Sequence, residues 1–234
     1  MRPARIAGIT CYPVKSCAGV PLDEAHVDAM GVAHDRRFAL ADAAGRLLTQ
    51  RECPLLATLR PRLAAHTLQL DLGGLAQVSV PLEAAGRALA TPGALREYLG
   101  RPVRLVALGR SAARSFADAQ PVLVVSTVAL ARLNALLERP VGPERFRANV
   151  LLDTETEGWT SLDAGETRLE RVEDCERCEV ISIDQESGAR GEAAPLRVLQ
   201  ERFSGRFGVY VRAARSGRLR RGEAVSLSAG QAPR

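Results

Sequence analysis

Lysine is all but missing from this chain: of 32 basic residues, Lys15 alone is lysine and the rest are arginine. A composition rich in Ala, Gly and Arg uses arginine wherever any cation serves. A lone lysine therefore marks a position suited to a compact ammonium rather than a planar guanidinium. Aromatics are scarce too, at 4%. Nucleic-acid surfaces want basic residues clustered with aromatics; here acids interleave throughout, so the net charge of +5 reads as solubility and no nucleic-acid partner is expected. Long apolar runs are missing as well. The longest, residues 121–131, is broken by Ser126 and Thr127 and is too short to span a bilayer. The first eight residues carry no continuous apolar segment of the secretory kind. A cytoplasmic protein without a membrane partner is expected. The three histidines (26, 34 and 66) have no ligand spacing and all precede residue 67.

Five cysteines (11, 17, 53, 175 and 178) are present, an odd number that argues against a disulfide framework. Cys175-Glu-Arg-Cys178 admits several readings. As a zinc site it is half a tetrahedron, with no second CxxC or CxxH. A thioredoxin-type pair belongs at a helix N-terminus, whereas the β-type run Val180-Ile-Ser-Ile183 follows here. A single thiolate for a soft metal, held at a strand end beside Arg177, fits the spacing. Two structural thiols fit it equally, and spacing alone leaves these alternatives open.

Patterning predicts a mainly β, α+β chain. Strands are expected at Ile6–Tyr12, Leu22–Met30 and Arg37–Leu40, the last facing Leu47–Thr49 across the Asp42–Gly45 turn. A second hairpin pairs Leu68–Leu72 with Gln77–Val80 around Gly73-Gly74. Thr91-Pro92 opens a short helix ended by Gly100, and Val103–Leu108 is again a strand. In the second half, Val122–Val125 is a buried-type strand. Ser126 then caps a helix with Leu130, Leu133, Leu136 and Leu137 on one stripe. Strands at Ala148–Leu152, Thr167–Val172, Val180–Ile183 and Val209–Ala213, a helix at Pro195–Phe203 and a closing turn and strand at Gly222–Val225 complete the pattern. Many short strands with a few short helices describe β-barrel architecture rather than a doubly wound sheet. The expected division is 1–108 and 109–234.

Five short motifs occur in order: Tyr12-Pro-Val-Lys-Ser-Cys-Ala-Gly19, Asp35-Arg-Arg-Phe38, Phe146-Arg-Ala-Asn149, Cys175-Glu-Arg-Cys178 with Ile183-Asp184, and Phe207-Gly-Val-Tyr210. Each is weak alone. Together they resemble the MOSC family with its N-terminal β-barrel companion domain, and within it the amidoxime-reducing proteins and their bacterial relatives. The resemblance implies a MOSC-type β-barrel behind an N-terminal β-barrel-like domain. It also implies a molybdenum cofactor (Mo-molybdopterin), with Cys178 as metal ligand and catalytic centre. The cofactor-binding positions it carries over are Lys15, Ser16, Arg37, Gln120, Arg147, Asn149, Glu176, Arg177 and Tyr210. The chemistry is consistent with that carry-over. A terminal phosphate suits an ammonium and guanidinium forks, pterin edges suit Asn149 and backbone amides, and a metal already bound by soft dithiolene sulfur suits one more thiolate.

The implied activity is reduction of N-oxygenated compounds, such as N-hydroxylated bases, hydroxylamines and amidoximes. The remaining cysteines form no iron–sulfur motif, so electrons are expected from a separate protein of the cytochrome or ferredoxin type. The competing reading is a non-catalytic sulfur carrier with a persulfide on the same cysteine. Residues 81–92 and 108–116 are shorter than their family counterparts.

Overall fold

The computed structural model describes residues 3–82, 93–109, 112–191 and 194–229. The expected cap at Thr91-Pro92 lies outside these residues. Its helix, Gly93–Leu99, is present, and Gly100 follows it in the left-handed region at φ +63.

The largest sheet has eight strands and curls as a half barrel. Its spatial order is Ser226–Ala229, Trp159–Ala164, Thr167–Glu176, Arg206–Arg215, Val122–Ser126, Val150–Leu152, Ile6–Cys11 and Val20–Leu22. At its centre, Val122–Ser126 is buried at every position, because it pairs on both sides and is covered on both faces. That is why its sequence is a continuous apolar run rather than an alternating one. Ser126 ends the strand and caps the next helix, Thr127–Asn134: its Oγ accepts from the Ala129 amide at 2.9 Å. Leu130 and Leu133 face inward from that helix; Leu136 is half exposed beyond its end.

A three-stranded sheet (Leu59–Leu63, Thr67–Leu72, Gln77–Pro81) shows the alternation that the sequence predicted, its turn made by Gly73 and Gly74 at positive φ. Phe38–Ala41 pairs with Arg104–Ala107, while Gly217–Arg220 joins Glu24–Asp28 and Gly31–Val32 in a third small sheet.

Two apolar clusters frame the site. One, built from residues 14–107, is dominated by leucines from the small sheets. The other gathers Ile6, Ile9, Cys11, Val27 and Val32 with second-half residues such as Val122, Val150, Trp159 and Val211. Strand pairing thus crosses the expected boundary at 108. Ile6 even exchanges backbone hydrogen bonds with Glu223 and Gly222, at 3.0 and 2.7 Å. Residues 12–19 run from one cluster to the other.

Three expectations need correction. Val180–Ile183 is no strand: Glu179–Ser182 forms a 3-10 turn, which places Ile181 in a third apolar cluster with Leu199 and Phe207. Leu47–Thr49 shrinks to one bridge, Ala41 to Leu47, before the chain turns. Trp159–Ala164, which is not among the expected strands, is a strand of the large sheet. Among the described residues, no helix is long and apolar enough to cross a membrane.

Candidate functional site

A cleft of ≈ 630 Å³ lies between the two halves. Its floor is polar. Asp35, 1% exposed, accepts from the Tyr12 amide at 2.7 Å and from Asn149 Nδ2 at 2.9 Å, and it pairs with Arg36. Asn149 also donates to the Thr10 carbonyl at 3.1 Å, and its Oδ1 accepts from the Leu123 amide and from Arg36, both at 3.2 Å. One buried amide therefore stitches two strands of the large sheet to the floor.

Two guanidinium groups lie over the Tyr12 ring, Arg147 at 4.4 Å and Arg36 at 4.9 Å from its centroid. Arg147 Nη1 donates to the Cys17 carbonyl at 2.6 Å, but its Nη2 is buried with no partner. Burial, reinforced by the Arg36 charge, pulls the Arg147 pKa down to about 10. Tyr12 cannot serve as counter-ion, because burial pushes its phenol up to about 12. The floor therefore holds two cations, one carboxylate and an unmet N–H donor. That is an arrangement short of one anion.

Backbone strain collects at the same place. Of the five non-glycine residues with positive φ among the described residues, Ser16, Arg36 and Arg147 line the cleft. Each left-handed position costs roughly 1–2 kcal/mol, a cost tolerated where the surroundings fix a functional geometry.

Lys15 forms the wall. Its Nζ, almost wholly buried, donates to the Phe116 carbonyl at 2.9 Å and pairs with Asp118. Burial opposes ionisation of Asp118, but the Lys15 hydrogen bond and charge, with Arg51 beyond, hold its carboxyl below the usual range. Gln120 lines the cleft and donates to Glu173 at 3.2 Å.

The cysteine pair closes the cleft. Cys175, at the end of strand Thr167–Glu176, is buried, and Arg177 Nη1 donates to its sulfur at 2.8 Å. Arg177 Nη2 reaches the Phe146 carbonyl at 2.9 Å, while its buried Nε has no partner. Cys178 opens the 3-10 turn and is the one cysteine of the five that is not buried. Burial raises the thiols of Cys11, Cys17 and Cys53, Cys17 to about 12, which suits inert packing. Tyr210 stands against Cys175, its phenol pushed up first by burial and then by that thiol. Its strand can approach because Gly208 has no Cβ: one there would lie 2.7 Å from Val125 Cγ2 and 2.8 Å from the Val124 carbonyl.

The structure brings together Lys15, Ser16, Gln120, Arg147, Asn149, Glu176, Arg177, Cys178 and Tyr210 in this one cleft. Arg37 is not among its lining residues: its Nη2 donates to the Gly109 carbonyl at 3.0 Å. Arg36 takes the place in the floor, because its left-handed backbone (φ +49) turns the chain between two adjacent arginines. The cation on Cys178 is also not the one expected. Arg177 serves Cys175, whereas Arg51 Nη2 lies 3.2 Å from Cys178 Sγ. Arg51 is one arginine among 31, and nothing in its residue type singles it out. Among the described residues, no three His, Cys, Asp or Glu side chains converge as a metal cage.

Residues 3–96 match the family model described as MOSC N-terminal beta barrel domain, and residues 111–226 match the MOSC domain model. The chain is 28% identical to mitochondrial amidoxime-reducing component 1 of Homo sapiens, over 83% of this chain and 71% of that protein. It is 26% identical to the molybdenum cofactor sulfurase of Danio rerio, over 88% of this chain and 31% of that one. The chain thus spans about a third of the sulfurase. Among solved structures, the YUAD protein from Bacillus subtilis covers 98% of both chains at a TM-score of 0.51 and 12% identity, a likeness of fold.

Proposed function

We propose that this chain, which belongs to the MOSC family, holds a molybdenum–pterin cofactor in the cleft and reduces N-oxygenated compounds with electrons from a separate protein. The observation that carries the reading is the unmet donor on Arg147, buried beside Arg36 in the same cleft as the accessible thiol of Cys178. The donor set fits the group. Arg36, Arg147 and Lys15 suit a phosphate, Asn149 and nearby amides suit a pterin edge, and Cys178 suits a soft metal. When bound, the cofactor supplies oxygen-atom acceptance and two-electron chemistry.

The protein's own part is positional. Asp35 and Asn149 fix the Arg36 guanidinium, and the Cys17 carbonyl and Tyr12 ring fix that of Arg147, before any ligand arrives, so little reorganisation accompanies binding. The Lys15–Asp118 pair holds the segment carrying Gln120 over the cleft. The 3-10 turn holds Cys178 at the extended cap position just before it, where the sulfur stays reachable from the cleft.

The sequence similarity to a molybdenum cofactor sulfurase favours a second reading, in which Cys178 carries a persulfide. Mass spectrometry of protein made in a molybdopterin-producing host separates the two. A pterin and molybdenum, lost on Cys178→Ser with the fold retained, supports the reductase reading; a one-sulfur increment on Cys178 supports the carrier. Full molybdenum content in Cys178→Ser would sink the metal-ligand assignment. Lys15→Ala is expected to weaken cofactor retention more than folding.

A further inference from the structure

Arg51 comes to Cys178 from the other half of the molecule, on a turn that is pinned from both sides. Gln50, fully buried, donates to the Ser16 carbonyl at 2.8 Å and to Gln185 Oε1 at 3.0 Å. Gln185 answers with 3.1 Å to Gln50 Oε1 and 3.0 Å to the Ile183 carbonyl. Such a reciprocal buried amide pair satisfies both groups and fixes the 49–53 turn against the loop after Cys178. Arg190 donates to the Arg51 carbonyl from that loop. Gly188 lets the loop close: a Cβ there would sit 3.1 Å from the Pro54 carbonyl and 3.2 Å from Leu55 Cα.

The backbone of Arg51 is thus held, while its guanidinium stays on the exposed rim of the cleft with one donor on Cys178. Among the described residues, no carboxylate lies within ion-pair distance of it; Asp118 is engaged by Lys15. A fixed guanidinium with no carboxylate in direct contact, beside the reachable sulfur, is built to meet an anionic oxygen. Resting on the reading of Cys178 as the reacting centre, we propose that Arg51 is a specificity-determining residue. It receives an anionic oxygen of the small molecule that reaches Cys178, so the cleft favours acidic N-oxygenated substrates, hydroxamate-like or carboxylate-bearing, over cationic ones.

Alkylation of Cys178 in the full chain, purified without cofactor and read by peptide mass mapping, tests this. Anionic iodoacetate and neutral iodoacetamide both react through the thiolate, so their rate ratio cancels the thiolate fraction and reports recruitment of charge. Arg51→Gln is expected to lower that ratio about five- to tenfold at low salt, and added salt to erase much of the difference. Arg51→Lys should retain most of it, and Gln50→Ala should lose part. A ratio in Arg51→Gln within about twofold of the parent, at a salt level where screening is weak, overturns the proposal. Molybdenum analysis keeps the two readings apart. Metal lost from Cys178→Ser with an unchanged ratio in Arg51→Gln removes Arg51 alone. Metal kept in Cys178→Ser with a lowered ratio removes the metal-ligand assignment and leaves Arg51 in place as the anion-receiving residue beside that sulfur.

Discussion

The leucine-filled interior under the 59–81 sheet and the floor of the cleft are both buried, yet they are built on opposite terms. In the first, Leu56, Leu59, Leu68, Leu70, Leu72, Leu95 and Leu105 bury fully against one another with no charge among them. Its stability comes from apolar area removed from water and needs nothing from outside. In the second, Arg36 and Arg147 share Tyr12, the Asp35 carboxylate pairs with Arg36 alone, and an Arg147 N–H stays unmet. Burying charge without full pairing destabilises a fold, so this region is worse off alone than with an anion bound. The contrast teaches where to look for function. A satisfied core explains itself, and an unsatisfied one points to a missing ligand.

The contrast can be broken or sharpened by experiment. The largest effect is expected from Asp35→Ala, which strips Arg36 of its carboxylate and leaves the Tyr12 amide and Asn149 without their acceptor: a loss of about 3–5 kcal/mol in denaturant unfolding. Leu70→Ala should cost about 2–5 kcal/mol by opening a cavity, with cofactor binding by the surviving folded fraction unchanged in titration. Arg147→Met separates the two interiors most cleanly. Stability without cofactor should hold or rise by about 1–2 kcal/mol, while molybdenum and pterin retention collapse; a stability loss as large as that of Asp35→Ala would erase the distinction. Ser126→Ala removes a helix cap remote from both regions and should cost about 1 kcal/mol with no change in retention. The smallest effect concerns acid. Hydrogen bonds from the Ser187 amide and hydroxyl and the Glu186 amide hold Asp184 below its ordinary 3.8. Its contribution is therefore complete above that value and is lost as pH falls through the lowered one. Asp184→Asn should flatten this acid limb of the unfolding curve slightly.

Much of the cleft was legible in the sequence because its motifs combine residue types with unusual backbone needs. Lys15 stood out by rarity, and the Phe146–Asn149 and Phe207–Tyr210 motifs do sit together in space. The choice between Arg36 and Arg37 was not legible. It depends on a left-handed φ at a residue type that rarely adopts one, and a single such residue reverses which side chain faces inward. Arg51 was hidden for another reason: its partner lies 127 positions away, brought close by a glutamine pair that no local pattern announces. The β-branched run at 180–183 misled in turn, since packing of Ile181 beside Leu199 overrode strand propensity.

The pairing of strand Ile6–Cys11 has a consequence for the order of events in the cell. Beyond the adjacent Val20–Leu22, its partners are residues 150–152 and the 222–223 turn, so this strand waits for segments made well over a hundred residues later. At roughly 5–20 residues per second, that wait is on the order of ten seconds or more. The floor residues Tyr12 and Asp35 cannot meet Arg147 and Asn149 until those partners have emerged. The leucine interior of residues 14–107 can collapse early, during synthesis. The cleft is assembled late, and any cofactor is loaded only once the segments carrying Arg147, Asn149 and the 222–223 turn have been made.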